Sequence, residues 1–134
     1  QGAERVADVK EHPMPQKLEA GNPAMVVILF LEQALDLILE TGIDRIENHA
    51  RDLSNEVSQG LAALDINVIT PAARSRRSGN TCFLLHDAPE LVDRLAEHQV
   101  YVWGEYGRVR VSGHLYNGSA DVVRLCDALK DILQ

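Results

Sequence analysis

The chain has 134 residues, 46% hydrophobic and 25% charged, the proportions of one globular core rather than of a disordered or collagenous chain. Its longest run without Asp, Glu, Lys or Arg is residues 20–31, short of the roughly 20 apolar residues that span a bilayer, so no membrane helix is expected. Thirteen basic against 20 acidic residues leave a net charge of -7, which repels phosphate backbones and argues against general nucleic-acid binding.

Residues 1–18 mix charges with Pro13 and Pro15 and keep no sustained period, which predicts an extended or partly ordered lead-in from upstream sequence. The chain opens on Gln1 without the features of a signal peptide, and is read as a piece of something longer. From Ala24 the run AMVVILFLEQALDLILET is long enough for a helix and stops at Gly42, a residue suited to a left-handed C-terminal cap. Asn22 and Pro23 are its expected N-cap and first helical residue. The first two turns, Ala24 to Leu31, are apolar on every face, so cover from more than one side is expected, some of it from outside this chain.

Ile46, Leu53, Val57, Leu61 and Leu64 recur at threes and fours between charged residues, predicting an amphipathic helix over 44–64. The segment INVIT (66–70) reads as a strand stopped by Pro71, and the basic loop AARSRRSGN leads to a second strand, TCFLLH. Pro89 opens a short helix to His98. VYVW and RVRVS, separated by the turn-forming GEYG, predict a hairpin. Ser119 or Asn117 then caps a last helix with Val122, Val123, Leu125, Leu129, Ile132 and Leu133 along one side. The order α, α, β, β, α, β, β, α implies an α+β layer, a small mostly antiparallel sheet with helices packed on one face.

Two places carry chemistry. Glu19-Ala20-Gly21-Asn22-Pro23 stands at the mouth of the long helix, where free N–H groups suit a phosphate; a simple self-cap by Asn22 explains the same residues. In Arg108-Val109-Arg110-Val111-Ser112 strand alternation puts both guanidinium groups on one face and both valines on the other. Such a pair can hold a carboxylate bidentately, while a solvated strand face is the simpler alternative. Arg74, Arg76 and Arg77 read by default as a flexible charged loop.

His12, His49, His86, His98 and His114 show no HxH or HExxH spacing, so no metal site is expected and each is assigned a surface or capping role. Cys82 and Cys126 lie in apolar patterns and read as buried, inert thiols of a reducing cytoplasm. No GxSxG elbow, P-loop or GxGxxG occurs, and the residues carry no complete catalytic constellation.

The segments KLEAGNPAM, RSGNTCF and VRVSGHLYNGSADVVRLCDAL, in that order, resemble the C-terminal part of class V aminotransferases. These are pyridoxal-phosphate enzymes of fold type I that include cysteine desulfurases, kynureninase and isopenicillin N epimerase-like proteins. The resemblance runs from Lys17 to Leu133. It implies that residues 19–134 form the C-terminal small domain of a longer cytoplasmic, homodimeric enzyme, with a large domain that binds pyridoxal 5'-phosphate upstream. The implied activity is on an amino acid, by amino transfer or related lyase or epimerase chemistry.

Residue by residue, the resemblance places Arg110, followed by Ser112, Tyr116 and Asn117, where the family grips the substrate α-carboxylate. Asn22 falls where the family commonly has Thr, beside the phosphate of a cofactor bound mainly by the other subunit. The family's Schiff-base lysine lies upstream, and none of Lys10, Lys17 and Lys130 matches it. The chain is thus assigned no catalytic residue, and alone is expected neither to bind the cofactor covalently nor to turn over amino acids. Desulfurases carry a cysteine on the loop before the arginine; QVYVWGEYGRVR has none, which disfavours persulfide chemistry. Gly118 stands where the family often has Thr, implying a different cap for the last helix. Without the resemblance, the residues also allow a freestanding α+β module that binds a small ligand or regulates, or a purely structural dimerisation domain. Residues encoded before Gln1 discriminate among the three.

Overall fold

The apolar run after Pro23 forms the first long helix of the computed structural model, which describes residues 13–18 and 21–133. This helix, α1, spans Met25–Thr41 and crosses the boundary between two compact units, residues 1–37 and 38–134. In the first unit Gln16–Leu18 make a single 3₁₀ turn; residues 1–12 of the expected lead-in lie outside the described residues. Asn22 does not cap α1. The Met25 N–H bonds to the Pro23 carbonyl at 2.8 Å, and the first helical bond runs from Ile28 N–H to Ala24 O at 3.1 Å, so the chain bends once more before the helix begins. No residue of α1 is buried. Val26, Ile28 and Phe30 are 65%, 47% and 72% exposed, so the cover that their composition calls for is not supplied by the described residues.

In the second unit Gly42, at φ 90, ends α1 and immediately precedes α2, Ile43–Ala63. Leu53, Val57 and Leu61 are its buried stripe, as the period predicts. Asp65 at φ 58 closes α2 with paired bonds, Asp65 N–H to Ala62 O and Ile66 N–H to Leu61 O, the Schellman arrangement. The helix α3, Ala88–Glu97, ends the same way, with Gln99 at φ 59 and Val100 N–H on Leu95 O. The last helix, α4, is Ser119–Leu133.

Three strands, β1 (Asn80–Leu84), β2 (Trp103–Glu105) and β3 (Arg108–Ser112), form an antiparallel sheet in the order β1-β3-β2. Phe83 and Val109, both fully buried, face Leu61 of α2, Leu91 and Leu95 of α3, and Leu125 and Leu129 of α4 in one core cluster. Burying a large apolar side chain contributes about 1.5–3 kcal/mol relative to leaving it exposed. All three helices thus lie on one face of the sheet, the α+β layer expected from the order of elements.

The expected strand at 66–70 is reduced to one bridge, Val68 to Phe83. Ile69 N–H reaches Cys82 O at 2.9 Å and Leu84 N–H reaches Asn67 O at 3.0 Å, but the next donor, Cys82 N–H, is taken at 2.7 Å by the Thr70 hydroxyl. Pro71 has no N–H to continue the ladder. The hairpin is also shifted from 100–103. Tyr106 and Gly107, at φ 53 and 70, form a two-residue turn between the paired Glu105 and Arg108, with the positive φ values of a type I′ turn. Gly104 is required in β2, because a Cβ there would stand 2.9 Å from the Ala88 carbonyl oxygen and 2.7 Å from Val92 Cγ2.

Neither Asn117 nor Ser119 caps α4. The Gly118 carbonyl accepts from Asp121 N–H at 2.9 Å, while Asp121 Oδ2 accepts from Gly118 N–H at 3.0 Å, the reach-back half of a capping box.

Candidate functional site

Alternation along β3 buries Val109 and exposes Arg108 and Arg110, so both guanidinium groups share the sheet face turned away from the helices. Residues directly opposite across antiparallel strands share a face, and the register sorts this face into rows. Cys82, Arg110 and Trp103 form one row; Leu84, Arg108 and Glu105 form the next. At the end of the sheet the Ser112 hydroxyl donates to Asn80 Oδ1 at 2.6 Å.

The two arginines therefore differ in their neighbours. Arg108 stands opposite a carboxylate, Glu105. Arg110 has an indole on one side and a thiol on the other, and its Cζ lies 5.3 Å from the Trp103 ring centroid. Arg110 makes no hydrogen bond or ion pair with a described residue. A guanidinium that lies flat on a ring face keeps its in-plane N–H donors for a ligand. The spacing of the sequence does not show this contact. A turn built from all of GEYG would set Trp103 opposite Arg108; the two-residue turn sets it opposite Arg110.

Downstream of Arg110 the polar residues serve the β3–α4 connection. Asn117 Oδ1 accepts from His114 N–H at 2.9 Å, the Asn117 carbonyl lies 2.9 Å from His49 Nε2, and Asn117 Nδ2 donates to Asp121 Oδ2 at 3.3 Å. Gly118 N–H, then the Asn117 amide, hold the Asp121 carboxyl below its ordinary range, with a smaller contribution from the Arg124 charge. Tyr116 is exposed and stacks on His114 at 4.8 Å. Tyr116, Asn117 and Ser112 border a cavity of about 310 Å³ floored by Leu53, Val57 and Leu125. Arg110 does not line that cavity.

The basic loop is anchored rather than free. Arg74 donates to Asp52 Oδ1 at 2.6 Å and to Asn48 Oδ1 at 3.2 Å. Arg77 donates to Asn55 Oδ1 at 3.2 Å and to the Ala72 carbonyl. Partners so distant in sequence are invisible to a local reading. Cys82 and Cys126 are free thiols, half-buried rather than buried; burial pushes the Cys126 thiol up. His86 sits beside Asp87 at 2.9 Å, and His12 lies outside the described residues. Among the described residues no group of His, Cys, Asp and Glu is arranged to hold a metal ion, and no helix is long and apolar enough to cross a membrane. Asn22, in the first unit, is exposed and its side chain makes no hydrogen bond with a described residue.

The model of the family Aminotransferase class-V matches residues 3–125. A probable cysteine desulfurase of Staphylococcus epidermidis is 29% identical over 132 residues, covering 87% of this chain and 32% of that protein. Among solved structures, the apo cysteine desulfurase of Thermococcus onnurineus NA1 superposes with a TM-score of 0.85 at 22% identity, over 95% of this chain and 36% of the other. The cysteine desulfurase CsdA of Escherichia coli gives 0.78 at 23% identity, over 91% and 34%. These two likenesses show the fold, and the chain spans about a third of the length of each of these three proteins. With a family model matched from residue 3 to residue 125 and the fold shared, the chain belongs to the class-V aminotransferase family.

Proposed function

We propose that this chain is the C-terminal small-domain portion, residues 19–134 after a lead-in, of a pyridoxal-phosphate enzyme acting on an amino acid by amino transfer or a related lyase or epimerase reaction. In this reading Arg110 holds the substrate α-carboxylate, and the enzyme is a cytoplasmic homodimer whose large domain lies upstream. The supporting observation is the state of Arg110: an exposed guanidinium with no hydrogen-bond or ion-pair partner among the described residues, set in a row without a carboxylate. A planar fork with open donors fits a carboxylate at two points, which fixes the rotation of the substrate about its Cα–C bond.

The residues present fit the cofactor only at its phosphate. Asn22 offers an exposed carboxamide donor at the head of α1, suited to a phosphate held mainly by the neighbouring subunit. Lys130 lies on α4, on the helix side of the sheet, 3.5 Å from Asp127, whereas Arg110 faces the other way. Lys17 belongs to the first unit, and Lys10 lies outside the described residues. The cofactor, when bound, supplies the electron sink for chemistry at Cα; this chain's part is to bind and orient, and alone it is inactive. The loop from Gln99 to Arg110 carries no cysteine, which favours the transferase, lyase or epimerase branches over sulfur transfer through that loop.

The test is substitution in the intact enzyme. Arg110→Ala should lower kcat/KM by about tenfold to a hundredfold, as loss of a charge-assisted contact implies. Stability should change by no more than about 1 kcal/mol, the size of an exposed cation–π contact with Trp103. Arg110→Lys should restore only part, since an ammonium lacks the planar fork. Arg108→Ala is the control on the same face. Turnover crippled by Arg108→Ala and untouched by Arg110→Ala would overturn the assignment.

A further inference from the structure

We propose that Trp103 is the positioning residue for Arg110, its indole holding one face of the guanidinium so that the N–H edge is presented to a carboxylate. The proposal rests on the carboxylate role of Arg110 argued above and adds the residue that makes it effective. An exposed arginine with no partner loses much rotamer freedom when it grips a ligand. A platform that limits those rotamers beforehand reduces that loss and tightens binding.

The platform is itself fixed. Trp103 pairs with Arg110 across β2 and β3, and the next residue, Gly104, is packed so closely on α3 that a Cβ would meet Ala88 and Val92. On the other side of Trp103 the chain runs back through Val102 and Val100, which pack against the core. The indole is 41% exposed, so a ring face remains accessible to the guanidinium, whose Cζ lies 5.3 Å from the ring centroid. Arg108, one row along, has Glu105 across from it and no aromatic ring. The same face therefore holds one arginine whose cross-strand neighbour is a carboxylate and one whose cross-strand neighbour is an aromatic ring within cation–π distance.

The test is a ligand-observed NMR titration of the intact enzyme with sodium propionate, and with propionamide as its uncharged counterpart. Trp103→Leu keeps an apolar side chain without the ring and should raise the propionate Kd by about two- to fivefold, the size of an exposed cation–π contact. Trp103→Phe should recover most of that loss, and propionamide should not respond to either change. In an Arg110→Ala background, Trp103→Leu should add nothing, because the two residues act as one unit. An unchanged propionate Kd in Trp103→Leu, an equal loss for propionamide, or an undiminished Trp103→Leu effect in the Arg110→Ala background would each overturn the inference while the Arg110 assignment stands. Should Arg110→Ala itself leave the propionate Kd unchanged, the carboxylate assignment falls, and this inference with it.

Discussion

Gly60 of α2 stands directly against Cys126 of α4: a Cβ at position 60 would lie 2.3 Å from the Cys126 Sγ. The two helices form the back of the core, with Leu61 and Leu125 buried beside this contact. Glycine within a helix costs roughly 0.5–1 kcal/mol relative to alanine, so Gly60→Ala sets a gain in helix propensity against a loss by overlap. Inserting atoms into a packed contact costs about 1–3 kcal/mol, and the overlap should win. Gly60→Ala is therefore expected to lower the urea-unfolding free energy by about 1 kcal/mol. Adding Cys126→Ala should return part of that loss, because the clashing sulfur is gone. Independent, additive effects of the two substitutions would show that the helices do not meet at this pair.

The hairpin gives a prediction of opposite sign. Tyr106 carries a bulky side chain at φ 53 and is 88% exposed, so its ring gains little from packing while its backbone sits where L-residues other than Asn and Asp are disfavoured. Tyr106→Asn should stabilise the chain by about 0.5–1 kcal/mol, as the favoured first residue of a type I′ turn. Gly107→Ala, at φ 70, should destabilise it by about 1 kcal/mol or more. Chemical denaturation of both variants decides the matter: a neutral Gly107→Ala together with a destabilising Tyr106→Asn would mean a different turn and a different partner for Arg110.

Sequence periodicity locates α2, α3 and α4 to within about a residue because each buries one face, and RVRVS alternates as the β3 burial pattern does. That Arg108 and Arg110 share the exposed face was legible for that reason, whereas the choice of Arg110 between them came from the family resemblance. What sequence could not show is set by groups far apart along the chain or by backbone angles that residue type does not announce. The strand at 66–70 fails because the Thr70 side chain takes the Cys82 N–H. The hairpin register follows from positive φ at a tyrosine, and with it the Trp103 contact. Arg74 and Arg77 find α2 partners some twenty residues earlier. Asp121 displaces Asn117 and Ser119 in the cap by reaching back to Gly118 N–H. The all-round apolar face of α1 was legible too, yet its composition alone does not name what covers it.

That same Asp121 gives the last prediction, on pH. Its carboxylate accepts from Gly118 N–H at 3.0 Å and from Asn117 Nδ2 at 3.3 Å, and it sits in the first turn of α4, where a negative charge meets the positive end of the helix dipole. The bond from Gly118 is the main cause of its lowered pKa, followed by that from Asn117, with Arg124 contributing less. A carboxyl that titrates lower folded than unfolded adds stability that is fully present above its unfolded pKa, about 3.9, and is lost as pH falls through its lower folded value. Asp121→Asn keeps an acceptor for Gly118 N–H but removes the charge. Denaturant midpoints measured from pH 7 down to pH 2.5 should show wild type above Asp121→Asn by a constant margin near neutrality, with the margin closing on the acid side. Added salt should weaken the Arg124 part of the effect and leave the short hydrogen bonds largely intact. Equal midpoints at pH 7, or a margin that persists unchanged to pH 2.5, would mean that the Asp121 charge does not stabilise the start of α4.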